Sequence, residues 1–164
     1  MNLHPAQAAG NAIRLCFWSL FLFGCGQESS STRPLGAAAE IHDAFGWLLR
    51  QEGNEAFVVI EEPRSGKFVQ FAGSREAPLL LDLPGQTLDP SEMDRARVLF
   101  HKLGVEGPEE WDVHDPLTGK VAGKQVGFQM KLGRDPRRAA DIASRVFQEV
   151  YCFSADIKLH VSRH

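Results

Sequence analysis

The sequence predicts an α+β fold, one antiparallel sheet with helices packed on it, in the order α-β-β-β-α-β-β-α. Three observations carry that prediction. In residues 56–72 two β-rich runs, Phe57-Val58-Val59-Ile60 and Phe68-Val69-Gln70-Phe71-Ala72, flank a turn at Pro63-Arg64-Ser65-Gly66, the pattern of a hairpin. Asp89-Pro90, with Glu92 three residues past the cap, marks the start of a helix. Residues 125–132 alternate as a half-buried strand does, with Val126, Phe128, Met130 and Leu132 inward and Gln125, Gln129 and Lys131 outward.

Each element has its local cause. Residues 37–50 repeat Ile41, Ala44, Phe45, Leu48 and Leu49 at helical spacing, and Gly53 offers a left-handed stop. After the hairpin, residues 77–83 read as a third strand, with Pro78 at its start and Pro84-Gly85 at its end. The second helix presents Met93, Ala96, Leu99, Phe100 and Leu103 on one face and stops at Gly104. Residues 109–115 form a short strand around Trp111 and Val113, and Asp115-Pro116-Leu117-Thr118-Gly119 is turn chemistry. The last helix, residues 135–150, repeats the Asp-Pro start at Asp135-Pro136 and buries Ala139, Ile142, Ala143, Val146, Phe147 and Val150. Residues 157–161 are a terminal strand or an extended tail.

The chain has 164 residues, 43% hydrophobic and 24% charged, which suffices for one domain with its own core. A net charge of -3 supplies no field for nucleic acid or an anionic membrane. Cys16, Cys25 and Cys152 form no C-x-x-C pair, so neither a zinc site nor a disulfide framework follows from them.

The run Leu15-Cys16-Phe17-Trp18-Ser19-Leu20-Phe21-Leu22-Phe23 is far shorter than the roughly 20 residues of a spanning helix. It has the length of a signal-peptide core, and Arg14 stands just before it. Leu22-Phe23-Gly24-Cys25 resembles a bacterial lipoprotein cleavage box, which implies lipid on Cys25. Residues 27–34 are too polar to fold by themselves. The expected division is therefore a signal peptide at 1–25, a flexible tether at 26–36 and an α+β domain at 37–164. The expected place is the envelope of a bacterium, attached to a membrane by lipid alone. The alternative is a cytoplasmic protein with a mis-assigned N-terminus. No methionine lies between Met1 and Met93, which favours translation of the leader.

Catalytic patterns are weak. Asp112 and His114 share one side of a strand beside Asp115, the beginning of a metal or enzymatic site, but two ligand types on one strand are not a converging set. Arg64-Ser65-Gly66-Lys67 lacks the upstream glycine of a phosphate loop and sits between strands. Lys131, Arg134, Arg137 and Arg138 form a basic cluster that reads as a solvated, mixed-charge surface. Glu61 and Glu62 are adjacent in a strand and point to opposite faces. The expectation is a non-enzyme with no cofactor and no metal.

Apolar residues on both sides of the first three strands are a stronger signal. Helices cover one face; the other calls for a second layer, a homodimer partner or a bound peptide, unless loops and the first helix cover both. Phe57, Val59, Phe68 and Phe71 are the expected contacts for a protein or peptide partner.

The segment Gly66-Lys67-Phe68-Val69-Gln70-Phe71-Ala72 is similar to the G-[KR]-[YF]-V-Q-F-A segment of bacterial peptide-binding chaperone-like domains of the TY-Chap type, related to type III secretion chaperones. The Leu-rich strand after it, the helix closing in Phe100-His101-Lys102-Leu103-Gly104-Val105, and the last helix followed by Tyr151 extend the resemblance over about residues 41–161. It implies a secretion-chaperone-like topology, a peptide or protein partner, and no catalytic residues.

Overall fold

A computed structural model describes residues 37–53, 55–115 and 118–164. The chain runs through helix α1 (Ala37–Leu48), strands β1 (Phe57–Glu62), β2 (Lys67–Ala72) and β3 (Leu79–Pro84), and helix α2 (Pro90–Lys102). Strands β4 (Glu109–His114) and β5 (Val121–Gly133), helix α3 (Pro136–Arg145) and strand β6 (His160–Arg163) complete it. Among the described residues the fold is α+β, with three α-helices on a six-stranded sheet of order β4-β5-β3-β2-β1-β6. Every neighbouring pair is antiparallel. Among the described residues no helix is long and apolar enough to cross a membrane. The proposed leader and tether, Cys25 included, lie outside the described residues.

The β1–β2 turn is closed by Glu62. Its carboxylate accepts the amides of Arg64 at 3.1 Å and Ser65 at 2.7 Å, and Gly66 supplies the left-handed φ of +68°. Helix α2 starts with a full capping box: Asp89 accepts from the Glu92 amide, and Glu92 accepts from the Asp89 amide at 2.8 Å. Helix α3 starts on Asp135, which accepts the amides of Arg137 and Arg138.

Some expected boundaries move. Helix α1 ends at Leu48 in a turn rather than running to Arg50. β3 begins at Leu79, because Ser74 first folds the chain into a turn, its hydroxyl accepting the amides of Glu76 and Ala77. β5 starts at Val121, since pairing with β4 makes a strand of residues that do not alternate. The last helix changes from α to a π turn at Val146–Val150. The terminal strand, expected at 157–161, is β6 at His160–Arg163, paired with β1.

The core lies on one side of the sheet. Val58, Ile60, Val69, Phe71, Leu79, Leu81, Leu83, Phe128, Met130 and Leu132 meet the buried stripes of α1, α2 and α3 in a single cluster. Phe45 of α1 packs edge-on against Phe71 at 4.6 Å, and Phe100 of α2 stacks on Phe128 at 4.7 Å. Tyr151 locks the far end: its hydroxyl donates to the Phe68 carbonyl at 2.6 Å, tying the segment after α3 to β2.

Candidate docking face

Strand parity assigns the opposite side of the sheet. From the paired registers it carries Ser162 and His160 of β6, Phe57, Val59 and Glu61 of β1, and Phe68, Gln70 and Ala72 of β2. It continues with Leu80, Asp82 and Pro84 of β3, then Lys131, Gln129 and Gly127 of β5, and Trp111 and Glu109 of β4. Phe57, Val59, Phe68, Leu80 and Trp111 are all half-buried. They do not belong to the core cluster or to the side chains packed against it. Cross-strand neighbours shade one another on such a surface, which is why these residues are neither open nor closed.

The structure puts Phe57, Val59 and Phe68 on one face of the sheet and Phe71 on the other. Phe71 is 0% exposed, on the helix side, paired with Val58 and Leu81. The reason is the strand period of two: Phe68 and Phe71 are three residues apart and must point to opposite faces. Phe57 stacks on the His164 ring at 4.5 Å, and the two residues exchange backbone hydrogen bonds at 3.0 and 3.1 Å. This continues the β1–β6 pairing and fixes Phe57 at the rim.

Through the middle of the face runs a row from Ser162 through Val59, Gln70 and Asp82 to Gln129. Asp82 is 8% exposed. Its Oδ2 accepts from Gln70 Nε2 at 2.7 Å, whereas Oδ1 is buried with no hydrogen-bond partner. Burial pushes the Asp82 carboxyl above the usual carboxylate range, with the Gln70 and then the Gln129 amides pulling the other way. At the β4–β5 end the Trp111 ring lies over Gly127: a Cβ there would stand 3.0 Å from its Cη2 and 2.8 Å from the Leu83 carbonyl oxygen.

Leu80, Asp82, Gln129 and Trp111 join this face without having been singled out as contacts from the sequence. The available signal was the lone carboxylate inside Leu79-Leu80-Leu81-Asp82-Leu83, in step with Leu80 rather than with the buried leucines.

The other sequence candidates fall elsewhere. Asp112 is half-buried on β4 opposite Lys124, and the side chain of His114 lies outside the described residues. Asp115 organises its turn, its carboxylate accepting the Thr118 amide at 2.9 Å. Among the described residues no group of three or more His, Cys, Asp or Glu side chains stands close enough to hold a metal ion. Arg134, expected in a solvated basic cluster, is exposed and also acts as a clamp: its guanidinium donates to the carbonyls of Ser74, Ala77 and Leu49 at 3.0, 3.2 and 3.4 Å.

No family model, curated protein or solved structure matches this chain.

Proposed function

We propose that this is a non-enzymatic binding domain that docks an extended peptide or protein segment on its sheet. One observation carries the reading: Phe57, Val59, Phe68, Leu80 and Trp111 share a face that all three helices leave uncovered among the described residues. A row of partly exposed apolar side chains across several strands is the kind of surface that takes up a partner segment. The resemblance to secretion-chaperone-like domains supports the same reading, and the leader supports placing the domain in a bacterial envelope through lipid on Cys25. Loss of radioactive palmitate in Cys25→Ala tests the anchor; an unlabelled wild type rules it out.

Docking is tested by selecting displayed random twelve-residue peptides on the immobilised full chain. The selected peptides are then measured against Val59→Ser and Phe68→Ser, with Val98→Ser as control, since Val98 is 55% exposed on α2. The face variants are expected to weaken binding by about tenfold or more while the control does not. Equal binding to all of them contradicts the reading.

A further inference from the structure

We propose that the segment docked on the open face presents a guanidinium to Asp82, between the amides of Gln70 and Gln129. The inference rests on the docking reading above and names the chemistry of the partner. A carboxylate in the centre of a sheet face is already largely desolvated, and Oδ1 has no donor to replace the lost water. Any occupant that covers the face removes what solvation is left. An apolar occupant therefore binds against the charge, whereas one that brings a cation converts the same burial into a charge-assisted hydrogen bond.

The neighbours favour arginine over lysine. Gln70 uses its Nε2 on Asp82 Oδ2 and keeps its amide oxygen as an acceptor, and Gln129 supplies a second amide from the next strand. A planar fork of donors fits acceptors spread over adjacent strands better than a compact, strongly hydrated ammonium does. The charge around the row has the right sign. The strand residues of this face carry the carboxylates of Glu61, Asp82 and Glu109 against the ammonium of Lys131, with His160 at the β6 edge. Both glutamines are half-buried on flexible side chains. Oδ1 is buried in the free chain, so docking requires the side chains over it to move.

The test uses the same selection on the full chain. Enriched peptides are expected to carry an arginine between apolar residues. Replacing that arginine by norleucine should weaken binding to wild type about tenfold or more, and binding to Asp82→Asn by much less. Enriched peptides without a basic residue, bound equally by wild type and Asp82→Asn but lost in Phe68→Ser, overturn the guanidinium and leave docking standing. Binding indifferent to Asp82, Val59 and Phe68 alike, or no enrichment on wild type, overturns both. Asp82→Asn keeps the shape and one acceptor, and a thermal midpoint no lower than wild type at neutral pH shows that it folds.

Discussion

At the scale of single residues, two side chains do more than their types suggest. Asp82 sits where a carboxylate is costly, and its folded pKa stands above its ordinary value. Between the unfolded pKa and the folded one, the folded chain therefore holds a proton that the unfolded chain has already released. Stability from this group is complete below the unfolded pKa, about 3.9, and is lost as pH rises through the folded value. Asp82→Asn removes that loss. Thermal melts are expected to show the variant at least as stable as wild type at pH 7, with the gap closing as pH falls towards 4. A gap that does not change with pH contradicts the assignment. Arg134 is the other case. Its acceptors lie 57 to 85 residues earlier in the chain, so no local pattern could reveal them. Arg134→Ala should cost about 1–3 kcal/mol in urea unfolding, and Arg134→Lys should recover little, because one ammonium cannot reach three carbonyls as the guanidinium does.

Elements were legible where their cause is local. The start of α2 was written in Asp89, Pro90 and Glu92, because a capping box is complete within four residues. The same Glu92 has a second role that the sequence hides: its Oε2 also accepts from Lys67 Nζ at 2.6 Å, joining α2 to β2, and Lys67 donates to the Thr87 carbonyl at 3.1 Å. Asp89→Ala should cost about 1 kcal/mol, the usual loss of a cap. Glu92→Leu should cost more, about 2–4 kcal/mol, because it leaves Lys67 without its carboxylate as well as breaking the box. Joining it to Lys67→Met should return part of that loss, and a double-mutant cycle on denaturation midpoints measures the coupling. The first residues of β5 and the π turn after α3 were not legible. Val121-Ala122-Gly123-Lys124 carries no alternation and becomes strand only through β4. The widening at Val146–Val150 sits where the chain turns to place Tyr151 against β2.

At the scale of the molecule, the two-sidedness of the sheet was legible and the allocation of residues to sides was not entirely so. Phe68 and Phe71 are near in sequence and both aromatic, yet only parity decides their surroundings. Phe71→Ala opens a cavity in the core against Phe45 and should cost about 3–5 kcal/mol. Phe68→Ala, on the half-open face, should cost about 1 kcal/mol and act mainly on binding. The partition between faces is most directly measured by relaxation of methyl protons with a soluble paramagnetic agent, on dilute full-length chain. Val59 and Leu80 should be strongly relaxed, while Val58 and Leu81, one residue away along the same strands, should be protected. Equal protection of all four would mean that the chain already covers this face, and would contradict a surface open to a partner.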